Sequence, residues 1–168
     1  MSHTSRLAVL AGTFDPVTHG HCDLVGRAVR LFDRVVVAAL VNPAKQPLFT
    51  LEERLAMLRE ATAAWPSVEV DTFDGLLAEY VRRRGASAVV RGLRSSTEFA
   101  DESQVALMNR HLNPACETVF LLPSADTQHI SSRLVREIAS LGGPVDGLVP
   151  PVAATALARR LPRPGGPA

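Results

Sequence analysis

Short apolar runs alternate with amphipathic stretches along the chain. The first run, Leu7-Ala-Val-Leu10, is apolar throughout, as in a strand covered on both faces. A loop rich in Gly, Pro and His follows. From Cys22 to Leu31 the apolar positions Leu24, Val25, Ala28 and Leu31 recur at helical spacing. Arg34 to Val41 carries the strongest strand pattern, with three consecutive valines. Asn42 to Phe49 holds two prolines and no period, which predicts a loop. Thr50-Leu-Glu-Glu53 is a capping-box pattern, predicting a helix that runs to about Ala64, with Pro66 just beyond. Val68 to Thr72 alternates like a strand, Leu76 to Arg84 has a helical period, and Ala86 to Val90 predicts a short strand closed by Arg91. A long helix is predicted from about Thr97 to Leu112, a last strand from Glu117 to Leu122, and a helix from Ser131 to Leu141. Pro151 to Leu161 predicts a C-terminal helix with proline near its start. The tail at 162–168, Pro-Arg-Pro-Gly-Gly-Pro-Ala, is expected to be disordered.

Alternating strands and helices predict a parallel sheet with helices on both faces. The expected fold is a Rossmann-like, doubly wound α/β sheet of five strands, formed by residues 1–161 as one domain. In such folds ligands bind beyond the carboxyl ends of the strands. That rule points to the loops at Gly12, Asn42, Asp74, Arg91 and Pro123.

Composition narrows the function. The 168 residues are 46% hydrophobic and 21% charged, an ordinary globular balance. Eighteen basic and 17 acidic side chains leave a net charge of +1, which argues against broad nucleic-acid binding. A small basic pocket for a phosphorylated metabolite is compatible with that balance. The two cysteines, Cys22 and Cys116, are far apart and match no metal spacing. Two thiols make no disulfide framework, so a reducing cytoplasm is the expected compartment. The apolar stretch from Leu7 to Ala11 is too short for a signal peptide, and no run approaches the roughly 20 residues of a membrane span.

The first loop, Gly12-Thr-Phe-Asp-Pro-Val-Thr-His-Gly-His21, lies between a buried strand and a helix, where phosphate can meet backbone N–H groups. It has neither the Gly-Lys-Ser/Thr of a Walker loop nor a G-x-G-x-x-G fingerprint. Thr18-His-Gly-His21 remains, with a glycine that allows close approach and two imidazoles able to donate to phosphoryl oxygens. A lone helix-start histidine is more often a cap. Zinc binding by His19 and His21 lacks a third ligand at a sensible spacing. Taken singly, Arg91, Arg94 and Lys45 read as solvated surface charges, and Ser131 and Ser132 as N-cap residues. Glu102 reads equally well as a surface partner of Arg110 or another cation.

In combination these pieces carry a resemblance. Gly12-Thr-Phe-Asp-Pro16 with Thr18-His-Gly-His21, and later Ile130-Ser-Ser132, resemble the nucleotidyltransferase superfamily marked by a T/H-x-G-H motif. Lys45, Phe49-Thr-Leu-Glu-Glu-Arg54, Arg91-Gly-Leu-Arg94 and Met108-Asn-Arg-His-Leu112 are similar to the bacterial phosphopantetheine adenylyltransferase family. The resemblance covers about Leu7 to Leu161. It implies transfer of AMP from ATP to 4′-phosphopantetheine, giving dephospho-coenzyme A and pyrophosphate. It implies His21, Lys45 and Arg94 as the catalytic residues. Thr13 would touch both substrates, and Lys45, Leu77 and Arg91 would hold phosphopantetheine. Phe14, His21, Gly92, Leu93, Arg94 and Glu102 would hold ATP, together with Thr127, Gln128, His129, Ile130, Ser131, Ser132 and Arg133. Mg²⁺ would arrive with ATP, with no protein metal ligand, and the assembly would be a homohexamer with neither nucleic-acid nor membrane partners.

The sequence departs from that family's pattern in four places. Leu10-Ala11 stands where Tyr-Pro is frequent, Asp101 where a tyrosine is found, and Arg133 where Ser or Thr is common; an aromatic near Thr127 is missing. Arg133 could add a cation for the β- or γ-phosphate. The competing readings are a nicotinate-mononucleotide adenylyltransferase or a cytidylyltransferase, and a nucleotide-binding regulatory module without chemistry.

Overall fold

The computed structural model describes residues 5–41 and 46–161, so the tail expected to be disordered and Lys45 lie outside the described residues. Five strands, β1 (Leu7–Gly12), β2 (Arg34–Leu40), β3 (Val68–Phe73), β4 (Ala88–Gly92) and β5 (Glu117–Leu121), form one parallel sheet in the order β3-β2-β1-β4-β5. Between and after them run α1 (His19–Leu31), α2 (Leu51–Ala61), α3 (Leu77–Arg84), α4 (Ser96–Leu112), α5 (Ser132–Ser140) and α6 (Pro151–Arg160). The expected five-stranded, doubly wound sheet is what forms.

The all-apolar reading of β1 has a direct cause. The strand is central, pairing Leu7 to Gly12 with Arg34 to Ala39 on one side and Ala8 to Leu10 with Ala88 to Val90 on the other. Ala8 and Leu10 point into a core with Val35, Val37, Leu58, Val135 and Leu157. Leu7, Val9 and Ala11 point into a second core with Val36, Ala38, Phe73, Tyr80 and Val81. Neither face sees water, so neither carries a polar residue. Chain order reverses between β1 and β4, the switch point at which doubly wound sheets open a crevice.

Most differences from the expected boundaries are made by caps. Helix α1 begins at His19, three residues before the expected Cys22, because Thr18 caps it with His21 as the reciprocal partner. Thr-x-x-His does the work of a capping box here, and it places His19-Gly-His21 in the first helical turn rather than in the loop. Helix α2 starts as predicted, with Thr50 Oγ1 accepting from the Glu53 N–H and Glu53 Oε2 accepting from the Thr50 N–H. It stops at Ala61, where the i→i−4 bonds give way to turns: the Ala63 N–H bonds the Glu60 carbonyl and the Trp65 N–H bonds the Thr62 carbonyl. Strand β4 extends past Val90 to include Arg91 and Gly92, held in register by Phe120 and Leu121. Gly92 lets β4 pass close to α1: a Cβ there would stand 2.5 Å from Leu24 Cδ1 and would force that side chain to move.

The C-terminal helix closes one core. Leu157 is 1% exposed, and Arg160 pairs with Glu53 at 2.5 Å and lies over the Phe49 ring. Leu157→Ala is expected to destabilise the protein by about 2–5 kcal/mol, checked by urea unfolding. A loss under about 1 kcal/mol would mean that α6 is not part of the core.

Candidate active site

Two adjoining recesses open beyond the carboxyl ends of β1 and β4. The larger, a cleft of about 770 Å³, is lined among others by Thr13, Phe14, Gly20, His21, Arg91, Gly92, Arg94, Ser131, Ser132 and Arg136. The smaller, a groove of about 310 Å³, is more apolar, with Leu40, Phe73, Leu77, Val105 and Ala106 in its wall. Gly12, Thr13, Arg91 and Glu102 border both.

His21 is set by its own helix start. The Thr18 N–H donates to His21 Nδ1 at 3.0 Å, and the His21 N–H donates to Thr18 Oγ1 at 3.3 Å. A ring nitrogen that accepts from an amide carries no proton, so the proton of the neutral ring sits on Nε2. The Phe14 ring meets the imidazole edge-on, with centroids 4.9 Å apart. Burial, with Arg94 adding to it, lowers the pKa of His21 from 6.5 to about 4. His21 is therefore a neutral hydrogen-bond donor at physiological pH.

The backbone of this helix start contributes less than the sequence suggested. The N–H of His19 is bonded to the Leu148 carbonyl, that of His21 to Thr18 Oγ1, and that of Cys22 to the Thr18 carbonyl. Of the amides from His19 to Cys22 these three are engaged, so the turn offers the cleft the Gly20 backbone and one aimed imidazole rather than a full cradle. Gly20 does serve close approach, but to the chain itself: a Cβ there would stand 3.4 Å from the Ile130 carbonyl oxygen and 3.5 Å from that of Thr127.

The guanidinium groups of the cleft rest on carboxylates. Arg91 makes a two-pronged pair with Glu102, at 2.7 and 2.6 Å, and donates to the Ala11 carbonyl at 2.9 Å. Arg94 pairs with Glu98 at 2.6 Å and reaches the Ile130 carbonyl at 3.4 Å. Its backbone carbonyl accepts from Gln128 Nε2. Glu102 thus has a cation, but it is Arg91; Arg110 pairs instead with Glu117. Arg133 is mostly exposed at the rim and pairs with Glu137.

Two acidic residues that the motif reading passed over organise the loops. The Asp15 carboxylate accepts from the N–H groups of Leu48 and Phe49 at 2.8 and 2.9 Å, tying the loop after β1 to the segment before α2. Asp23 accepts from the Ser124 N–H at 2.8 Å, the Ser124 hydroxyl at 2.7 Å and Arg27 Nε at 3.1 Å. Partial burial opposes ionisation of Asp23, but the Ser124 bonds and Arg27 outweigh it and hold its carboxyl below the usual range. Arg136 was also missed. It lies one helical turn beyond Ser132, donates to the Asp15 carbonyl and lines the cleft. Only that i, i+4 spacing could have flagged it.

Of the residues picked from the sequence, Thr13, Phe14, His21, Arg91, Gly92, Arg94, Glu102, Ile130, Ser131, Ser132 and Arg133 share the cleft, and Leu77 lines the groove. Leu93 is buried beside it, with its N–H on the Leu121 carbonyl. Thr127, Gln128 and His129 form the turn beyond β5 and are not in the cleft wall. Ser131 caps α5 through the Leu134 N–H, and the Ser132 hydroxyl donates to the Pro16 carbonyl. Those hydroxyls hold the loops together as well as facing the cleft. Among the described residues no group of three or more His, Cys, Asp or Glu side chains is placed to hold a metal ion.

The imidazole carries a pH signature. Below pH 6.5 an unfolded chain takes up a proton at this histidine that folded His21 takes up only near pH 4. Its contribution to stability is therefore constant above pH 6.5 and falls as the pH drops toward 4. The ring-proton NMR signals of His21 are expected to titrate near pH 4; a midpoint near 6.5 would show a solvated, chargeable ring.

The family described as Cytidylyltransferase-like matches residues 9–138. A protein of Alkalilimnicola ehrlichii called phosphopantetheine adenylyltransferase is 56% identical over 92% of this chain and 90% of its own length. Proteins of the same name from Thioalkalivibrio sulfidiphilus and Caldanaerobacter subterraneus are 53% and 49% identical, over 91% and 90% of this chain and 97% and 95% of theirs. With a neutral imidazole and paired arginines at the switch point of the sheet, and relatives of this similarity along almost the whole chain, the protein belongs to the phosphopantetheine adenylyltransferase family of cytidylyltransferase-like nucleotidyltransferases.

Proposed function

We propose that the protein transfers AMP from ATP to 4′-phosphopantetheine, forming dephospho-coenzyme A and releasing pyrophosphate. The observation that carries this reading is the pair of recesses joined at Thr13 and Arg91. A polar cleft of about 770 Å³ suits a nucleoside triphosphate, and an apolar groove of about 310 Å³ suits a pantetheine arm.

In the reaction an oxygen of the phosphopantetheine phosphate forms a bond to the α-phosphorus of ATP. The bond from that phosphorus to the oxygen bridging the α- and β-phosphates breaks, and its electron pair leaves with pyrophosphate. The attacking phosphate is already anionic, so no protein base or nucleophile is required. Catalysis then rests on placing two polyanions in line and stabilising charge on the α-phosphate. His21 donates from Nε2 to that phosphate, and its low pKa makes it a donor without a charge to desolvate. Arg94 shares its guanidinium between Glu98 and the triphosphate, and Arg91 with Lys45 holds the phosphate of phosphopantetheine. Glu102, between the two recesses, sets the angle of Arg91.

Mg²⁺ fits this site as an ion carried by the substrate. Glu98 and Glu102 are engaged by arginines, Asp15 by two backbone N–H groups, and Asp101 is a single exposed carboxylate of the wall, which fits an ion held mainly by the phosphates and water, its usual ligands. Its chemistry would be to neutralise charge on the leaving pyrophosphate.

Assembly into a homohexamer belongs to the same reading, supported by α4. That helix has no buried residue, and its Val105, Leu107 and Met108 are each at least half exposed. Such a face suits a second copy of the chain. No helix among the described residues is long and apolar enough to cross a membrane, and we place the enzyme in the cytoplasm.

The test is pyrophosphate release with ATP and phosphopantetheine, run beside ATP with nicotinate mononucleotide. Turnover is expected only with the former; the reverse would sink the reading. His21→Ala should lower kcat about 10²–10³-fold with little change in ATP affinity. In sedimentation the protein should run as one species of six chains, and Leu107→Glu with Met108→Glu should break it down. A wild-type monomer would remove the hexamer.

A further inference from the structure

We propose that Arg54 is a positioning residue of the cleft: a buried guanidinium that ties the loop at Thr13 to the end of β2 at Leu40 and lends the site a fixed positive charge. The inference rests on the adenylyl-transfer reading of the cleft.

Arg54 is 4% exposed, which is rare for an arginine. Arg54 lies behind the cleft wall, whose own arginines each lie against a carboxylate: Arg91 on Glu102, Arg94 on Glu98, Arg133 on Glu137 and Arg136 on Asp15. Among the described residues Arg54 has no carboxylate within ion-pair distance, and its Nε has no hydrogen-bond partner. It also stands at the start of α2, its N–H bonded to the carbonyl of the cap Thr50. There the helix dipole disfavours a cation. Burial, missing counter-charge and an opposing dipole all cost stability at this residue. A well-packed apolar residue would avoid all three costs, so the guanidinium is kept for what it holds.

What it holds is specific. One nitrogen, Nη1, donates to the Thr13 carbonyl at 2.7 Å and to the Leu40 carbonyl at 3.4 Å. Thr13 borders both recesses. Leu40 ends β2 and lines the groove. A single planar group thus sets the spacing between the loop expected to touch both substrates and the end of the strand that lines the groove. Its charge reaches the cleft through one residue, in a setting of low dielectric where it is poorly screened. Two polyanions must approach this point together, and a positive charge not already spent on a carboxylate favours that approach.

The two roles separate by substitution. Arg54→Lys keeps the charge but replaces the planar guanidinium, which fixes the place of Nη1, with an ammonium on a flexible stem. It should lower kcat about tenfold, a modest misplacement, while ATP affinity stays within about twofold. Arg54→Met removes both, and should weaken ATP and phosphopantetheine about tenfold each and lower kcat about 10²-fold. Steady-state kinetics, ATP calorimetry and melting temperature are measured on the whole chain. If either variant alters only the melting temperature, leaving kcat and both affinities at wild-type values, Arg54 is structural and the proposal fails. Should Arg54→Met not fold, the kcat of Arg54→Lys decides alone. If the wild type releases no pyrophosphate from the two substrates, the substrate reading is what has failed. ATP calorimetry then judges the charge: weaker binding by Arg54→Met supports it, and equal binding overturns it.

Discussion

One hydrogen bond, from the Thr18 N–H to Nδ1 of His21, decides where the imidazole proton sits. With Nδ1 occupied, Nε2 carries the proton, and the ring enters the cleft as a donor. Burial keeps that ring neutral, its pKa near 4, so the donor persists across the range in which free histidine titrates. The same bond starts α1, because Thr18 and His21 cap each other. Folding the first helix and setting the tautomer are therefore one event. The chemistry of the site is built into the earliest local structure of the chain.

Around that donor the site is assembled from polar groups that hold each other. Arg91 and Glu102 bridge the two recesses, Arg94 and Glu98 border the nucleotide side, and Asp15 and Asp23 pin loops by their backbone N–H groups. Such pairs give direction rather than large stability, since desolvation offsets much of the attraction. Their use is to keep side chains from swinging when polyanions arrive. Arg54 is the exception, a buried guanidinium behind the cleft whose charge is not matched by a neighbouring carboxylate among the described residues.

The fold was legible because its signals are local or periodic. The apolar run at β1, the valines of β2 and the Thr50–Glu53 box each report their own surroundings, and each formed where expected. The start of α1 was misplaced because a histidine took the third position of the box, where glutamate or glutamine is the familiar partner. Arg91 was read as lying beyond its strand, because nothing in five residues reveals that β5 extends the ladder past Val90. Of the site, His21, Arg91, Arg94 and the two serines were visible in motifs. Asp15 was visible as a motif letter without a role. Arg54 likewise stood only as the last letter of the motif that begins at Phe49, and Asp23 and Arg136 carried no chemical signal of their own, since charged residues in helices are ordinarily solvated.

The sequence by itself determined the layered sheet and the rim at which the cleft opens, because hydrophobic periodicity and capping act between near neighbours. Tertiary structure alone decided which carboxylate each arginine faces, which nitrogen of His21 is free, and which arginine is buried without an anion. Those outcomes depend on distances between segments far apart in the chain: Arg54 to Thr13, Ser124 to Asp23, Arg136 to Asp15. No local pattern encodes them, because Coulomb and hydrogen-bond energies depend on separation in space, which only the packed sheet sets.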